Sequence, residues 1–155
     1  MILDAGAIAP EFELPDQFGA PQRLTDRRGV RPVVLVFLPF AFSRTCTGEL
    51  RELAANAAMF DEAGAEVLVA SVDAKYALRA WAEAEDVRLT LLSDFWPHGA
   101  VAANYGAFDA AAGFARRATF VIGDDGVIRS SFATAAGEPR PLSAYRQALA
   151  ALDRR

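Results

Sequence analysis

The chain is poor in the residues that most often reveal a function. Among its 155 residues there is one cysteine, Cys46, one histidine, His98, and one lysine, Lys75. A single cysteine makes no internal disulfide and no thiolate metal cluster, so the expected setting is a reducing compartment, the cytoplasm. With one histidine beside it, no ligand set for a metal is expected, and nothing in the chain calls for a cofactor. Positive charge is not in excess: 16 Lys and Arg stand against 20 Asp and Glu, a net charge of −4. That balance leaves no electrostatic footprint for nucleic acid or an anionic membrane. Long apolar runs are missing too, the longest being strand-sized, from Val33 to Leu38, and far short of a membrane span. Met1 to Gly6 has no basic stretch leading into an apolar core, so no secretory signal is expected. No repeat, linker or low-complexity block interrupts the chain. The expected organisation is one domain over residues 1–155, a length that buries a core without staples.

What is present is 53% apolar and 23% charged, the composition of an ordinary α/β protein. Phe12-Glu13-Leu14 alternates as a short strand, Asp16-Gln17-Phe18-Gly19 supplies a turn, and Gln22-Arg23-Leu24 returns as a hairpin partner. Val33 to Leu38 is continuously apolar and β-branched, the pattern of a strand covered on both faces, and Pro39 ends it. Cys46, Leu50, Leu53, Ala57 and Phe60 then recur at helical spacing on one face. Glu66 to Val72 reads as a second buried strand, Lys75 to Glu85 as a helix burying Leu78, Trp81 and Ala82, and Leu89 to Leu92 as a short strand. Pro97 suits the first position of a helix ending at Tyr105, with Gly106 as its stop. Arg117 to Gly123 and Val127 to Phe132 flank an Asp-Asp-Gly turn as an antiparallel pair. A last helix covers Leu142 to Leu152. The order predicts a thioredoxin-like α/β fold: a mixed central sheet flanked by helices, with an N-terminal β-hairpin.

Cys46 stands at a telling place in that order. Ser43 is suited to cap the helix that follows Pro39, which puts Cys46 at the third helical position, where backbone N–H groups are still unpaired. An unperturbed thiol is only a few per cent thiolate at neutral pH. Free N–H groups and the positive end of the helix dipole both favour the anion. The thiol also heads the buried stripe, so its address is half core and half reactive.

Pro39-x-x-x-Ser43-x-x-Cys46 resembles the peroxiredoxin signature Pro-x-x-x-(Thr/Ser)-x-x-Cys. Ala9-Pro10 followed by Phe12-Glu13-Leu14 is similar to that family's N-terminal start, and Glu49 follows the cysteine by three residues, as in many members. Arg116-Arg117-Ala118-Thr119-Phe120-Val121-Ile122 resembles the strand that carries its second active-site residue, an arginine. Residues 91–101 look close to the one-cysteine alkyl hydroperoxide reductase E group. The resemblance spans essentially the whole chain. It implies a thiol peroxidase in which the Cys46 thiolate attacks a peroxide and becomes a sulfenic acid. Ser43 would orient the peroxide, Pro39 would shield the thiolate from water, and Glu49 would hold the arginine in register. The arginine maps to Arg117 by its distance ahead of Thr119. Arg116 lies one residue away on the opposite face, and a one-residue slip stays open.

One related subgroup resolves its sulfenic acid with a cysteine five residues on; here that position is Arg51. The implied partners are therefore a peroxide and an external reducing thiol or redoxin. The Ala- and Arg-rich composition points to a GC-rich genome, and for an actinobacterial one the resemblance implies mycothiol with a mycoredoxin. Family habit also implies a homodimer, with Phe95-Trp96-Pro97-His98 as a contact candidate. Two other functions compete: a non-catalytic thioredoxin-like binding module, in which Cys46 is an inert core residue, and a Cys/His acyl-transfer enzyme using Cys46 and His98. The latter lacks an orienting third residue in the sequence. Phe37, Phe40, Phe42, Phe95, Phe108 and Phe114 are expected as core or subunit-contact residues rather than substrate contacts; a few of them flanking Cys46 would be the means of favouring an organic hydroperoxide over hydrogen peroxide, and both substrates stay open.

Overall fold

A strand that is apolar at every position has to be covered on both sides, and this requirement organises the molecule. The computed structural model describes residues 1–153. Strand β3 (Val33–Phe37) is buried throughout and lies at the centre of a five-stranded sheet of order β5-β4-β3-β8-β9. It pairs in parallel with β4 (Glu66–Ser71), which pairs in parallel with β5 (Thr90–Ser93). On its other side it runs antiparallel to β8 (Arg117–Ile122), and β9 (Ile128–Thr134) returns antiparallel to β8. This is the mixed sheet the sequence predicts, with helices on its faces.

The two faces carry different covers. Val34, Val36 and Leu38 pack beneath α1 (Arg44–Ala55), α2 (Ala57–Glu62), α3 (Lys75–Glu85) and α5 (Leu142–Ala150). Both parallel crossovers step in the same direction across the sheet, so right-handed connections put their helices on one face. Val33, Leu35 and Phe37 face the opposite way, onto the N-terminal segment, the hairpin of β1 (Glu13–Pro15) and β2 (Pro21–Arg23), and α4 (Ala100–Asn104). Two short strands that the sequence reading does not anticipate, β6 (Phe108–Asp109) and β7 (Phe114–Ala115), form a small hairpin on that side. Each large apolar side chain fully buried here, Trp81, Phe37 and Phe120 among them, contributes about 1.5–3 kcal/mol. No helix among the described residues is long and apolar enough to cross a membrane.

Three expectations need correction. The helix beginning at Arg44 does not run through Phe60: it breaks at Asn56, whose side-chain amide donates to the Glu52 carbonyl at 2.8 Å. Local side-chain bonding of this kind competes with helix continuation. The break leaves Ala57 exposed and returns Phe60 to the core. Pro97 does not start a helix either; α4 begins at Ala100. Asp94, upstream of the proline, performs the capping, accepting from the N–H groups of Val101 at 3.1 Å and Ala102 at 2.9 Å. Finally, α5 ends at Ala150 and a short 3-10 turn, Ala151–Asp153, carries the chain on. The expected stop at Gly106 is present, with φ +71 and a position where a Cβ would meet the Met1 carbonyl oxygen at 2.2 Å.

Strand β5 is the edge of the sheet, and beside the isolated antiparallel bridge from Asp16 to Leu92 a side chain closes a further part of it. Gln17 is buried and accepts from the Leu91 N–H at 2.9 Å while donating to the Leu89 carbonyl at 2.9 Å. Its amide thus imitates one peptide unit of a further strand, which blunts an edge open to intermolecular pairing. Gln17→Ala leaves both backbone groups without their partner, a cost of about 1–3 kcal/mol. The expected result is a melting temperature lower by about 2–4 °C for each kcal/mol lost, read by thermal denaturation. An unchanged melting temperature would contradict this role.

Candidate active site

Pro39 has no N–H, so the sheet cannot extend through it, and the chain leaves β3 at its C-terminal end. Leu38 makes the last pairing, its N–H donating to the Ala70 carbonyl at 2.9 Å. Pro39 itself is buried. Ser43 occupies the N-cap position of α1 but makes no side-chain cap; its Oγ donates to the Phe40 carbonyl at 3.1 Å instead. Ser43 therefore binds the loop to itself and leaves the first N–H groups of α1 uncapped by its side chain. Cys46 is the third helical residue, as the sequence reading expects, and is fully buried in the core shared by Val36, Leu38, Leu50 and Trp81. At the next residue, Thr47 Oγ1 accepts from the indole N–H of Trp81 at 3.2 Å, which ties the start of α1 to α3.

One turn further along α1, Glu49 is buried as well, and its carboxylate is heavily engaged. Its carboxylate accepts from Arg117 Nη1 and, at 2.8–2.9 Å, from the backbone N–H, Nε and Nη2 of Arg140. Burial alone would push the Glu49 carboxyl up. The Arg140 hydrogen bonds and charge, with the Arg117 charge, outweigh burial and hold it below the ordinary carboxylate range.

Strand alternation resolves the pair of adjacent arginines. Arg117 shares the helix-side face of β8 with Thr119 and Val121 and is buried, whereas Arg116 is exposed. Arg117 Nε donates to the Ala136 carbonyl at 2.5 Å and Nη1 to Glu49, so two corners of the guanidinium are committed. Nη2 has no hydrogen bond to the described residues and remains as a donor.

Arg140 is the residue of this buried cluster that the sequence reading misses. Its side chain is wholly buried, and beyond Glu49 its Nη1 donates to the carbonyls of Phe37 at 2.9 Å and Ala118 at 3.0 Å and to Thr119 Oγ1 at 3.2 Å. It thereby joins the last residue of β3, strand β8 and helix α1 at one point. Burial works against its charge. Tyr145, Glu49 and Cys46 in their anionic forms favour it, and the net direction is upward. The only local signal was an arginine between Pro139 and Pro141, and no periodicity marks such a segment as inward-facing.

The charges of this buried cluster do not cancel. Two guanidiniums face one carboxylate, and a surplus buried charge is costly unless a counter-charge lies close by. His98 takes no part in this arrangement. Its Nε2 is paired with the Gly113 carbonyl at 2.7 Å, and its ring packs against Phe108 on the other side of the sheet. No group of three or more His, Cys, Asp or Glu side chains among the described residues is placed to hold a metal ion.

Comparison with known proteins accords with this geometry. The model of the AhpC/TSA family matches residues 5–131. Alkyl hydroperoxide reductase E of Mycobacterium tuberculosis is 41% identical over 151 residues, covering 97% of this chain and 99% of the relative. Peroxiredoxin Bcp of Escherichia coli is 44% identical over 92 residues, 59% of this chain and 58% of that one. Among solved structures, peroxidoxin BcpB from Mycobacterium tuberculosis superposes with a TM-score of 0.82 at 30% identity, covering 98% of this chain and 97% of its own. AhpC from Enterococcus faecalis gives a TM-score of 0.88 at 28% identity, with 99% and 93% covered. These likenesses run through the thioredoxin-like sheet and the segment bearing Cys46, and the chain belongs to the AhpC/TSA family as a peroxiredoxin of the alkyl hydroperoxide reductase E-like group.

Proposed function

We propose that this protein is a one-cysteine thiol peroxidase in which Cys46 is the nucleophile, Arg117 and Ser43 act on the peroxide, Pro39 excludes water, and Glu49 with Arg140 positions Arg117. The observation that carries this reading is the buried Glu49–Arg117–Arg140 cluster, one negative charge short, beside a cysteine at a helix start.

In the reaction, the Cys46 thiolate attacks the distal peroxide oxygen. An S–O bond forms as the O–O bond breaks, the sulfur loses two electrons, and the leaving oxygen takes the pair and a proton to depart as an alcohol or water. Negative charge grows on that oxygen in the transition state. A fixed guanidinium corner such as Arg117 Nη2 stabilises it without reorganising. The Ser43 hydroxyl can turn from the Phe40 carbonyl to the peroxide, donating to one group and accepting from another. The sulfenic acid then condenses with an external thiol, releasing water and forming a mixed disulfide. A second thiol releases Cys46 as a disulfide of the reductant is formed. Because the sequence holds no second cysteine, that reductant is a low-molecular-weight thiol with or without a redoxin, mycothiol and a mycoredoxin being the proposed pair. A cytoplasmic location fits a thiol used in this way.

Phe40 and Phe42 are 43% and 56% exposed. They form an apolar rim on the loop between Pro39 and Ser43 that suits an alkyl chain better than water. The expected substrate is therefore an organic hydroperoxide.

The test is a titration of reduced protein with peroxide. The wild-type thiol should consume one equivalent and give a sulfenate trapped by dimedone, faster with a fatty-acid hydroperoxide than with hydrogen peroxide, and Cys46→Ser should give neither. A thiol no faster than free cysteine would end the proposal, and equal rates for the two peroxides would end the substrate assignment. The exposed Tyr76, Phe95 and Trp96 are the proposed contact of a homodimer; light scattering at micromolar concentration should give twice the chain mass, and a monomer would contradict it.

Glu49→Gln removes the only carboxylate between two buried guanidiniums, and breaking such a pair costs about 3–5 kcal/mol. The sign of the pH dependence follows from the lowered carboxyl. Its stabilisation is fully present above the unfolded value of about 4.3 and is lost as pH falls through the lower folded value. Denaturant unfolding should show wild-type stability declining over that acid range and the variant losing part of the decline. Parallel acid limbs in the two proteins would argue against it.

A further inference from the structure

The loop from Pro39 to Ser43 carries the residues around the thiol, and its backbone is not relaxed. Phe42 has φ +67, a left-handed conformation that a bulky side chain adopts only where its surroundings impose it. Its neighbours are pulled apart. The Phe40 ring packs on Phe114 at 5.5 Å and the Phe42 ring on Trp81 at 6.3 Å. The Ser43 hydroxyl bonds within the loop, while its carbonyl accepts from the Thr47 N–H of α1 at 2.9 Å. Apart from that bond into the following helix, among the described residues one hydrogen bond ties the loop to the rest of the fold: the Ala41 N–H donates to Asp73 Oδ2 at 2.8 Å.

That acceptor is itself fixed. Asp73 Oδ2 also receives the Ser71 hydroxyl at 2.7 Å, the Asp73 N–H donates to Ser71 Oγ at 3.3 Å, and the Ser93 hydroxyl donates to the Asp73 carbonyl at 2.6 Å. Ser71 and Ser93 are buried at the C-terminal ends of β4 and β5. The loop bearing Pro39 and Ser43 is thus pinned to the rigid sheet edge through a single carboxylate oxygen.

We propose that Asp73 is a positioning residue of the peroxide reaction, acting through Ala41 to hold Pro39 and Ser43 in register with Cys46. The proposal rests on the reading of Cys46 as the nucleophile. A group held in place this way acts on peroxide alignment and leaves the thiol's own nucleophilicity alone, which separates it from a residue that merely supports the fold.

The experiment compares Asp73→Ala, which removes the acceptor, with Asp73→Asn, which keeps an oxygen at that position. Oxidation of Cys46 by hydrogen peroxide should slow by about 10-fold or more in Asp73→Ala, since misplacement of about 1 Å costs up to 10²-fold. It should stay within a few-fold of wild type in Asp73→Asn. Alkylation of Cys46 by iodoacetamide at the same pH should be undiminished or faster in Asp73→Ala. Wild-type oxidation in Asp73→Ala, equal losses in Asn and Ala, or parallel loss of alkylation would each overturn the proposal. Should Asp73→Ala not fold, amide exchange in the wild-type protein still decides: Ala41 should be protected while Phe42 exchanges freely, and an unprotected Ala41 overturns it. A wild-type protein that consumes no peroxide ends the reading of Cys46 itself, a failure distinct from active protein indifferent to residue 73.

Discussion

The carboxylate of Glu49 is the constraint on which the site depends. It is buried on the inner face of α1 and holds two guanidiniums brought from different parts of the chain, Arg117 from β8 and Arg140 from the segment ahead of α5. Without it, two like charges would face each other in a low-dielectric interior; without them, a carboxylate would be stranded there. Each group is tolerable only because the others are present. The same bonds fasten α1 to the sheet, since Arg140 reaches on to the Phe37 and Ala118 carbonyls. Cys46, one turn before Glu49 on the same buried face, is therefore fixed relative to Arg117 by the interaction that makes burial of the charges possible.

The asymmetric covering of the sheet gives this cluster its place. Four helices lie on one face, and the N-terminal hairpin, α4 and the β6–β7 hairpin on the other. Odd-numbered residues of β8 point to the helices, so Arg117, Thr119 and Val121 face α1 while Ala118, Phe120 and Ile122 fill the opposite core. Pro39 ends β3 where the parallel strands end, and helix α1 begins just beyond, with its free N–H groups turned to that edge. A reactive thiol at this position needs no long excursion of the chain. Six residues, Leu38 to Ser43, are enough to turn from strand to helix.

Much of this was legible from residue pattern alone. The continuous apolar run of β3, the spacing of Leu78, Trp81 and Ala82 on α3, and the Pro39, Ser43 and Cys46 positions all report periodicity or local chemistry. What stayed hidden depends on contacts distant in sequence. Arg140 lies 91 residues from the carboxylate it serves, and nothing nearby distinguishes it from a surface arginine. Asn56 breaks the helix through its own amide, although the apolar spacing from Leu53 to Phe60 reads as continuous. Pro97 imitates a helix start while Asp94, several residues earlier, does the capping. Gln17 looks like a turn residue and instead completes a sheet edge. In each case a side-chain hydrogen bond overrode the local preference.

The burial of Cys46 sets two halves of the proposed cycle against each other. A peroxide is small, and a tightly held loop aligns it well, so the first step gains from each contact that keeps Pro39 and Ser43 in place. The second step needs the oxidised sulfur to meet an external thiol, a larger reactant approaching a side chain with no exposed surface. An internal second cysteine would make that step intramolecular; this chain has none. In the proposed cycle the loop from Pro39 to Ser43 has to yield after oxidation, because the sulfur has no exposed surface while that loop is in place.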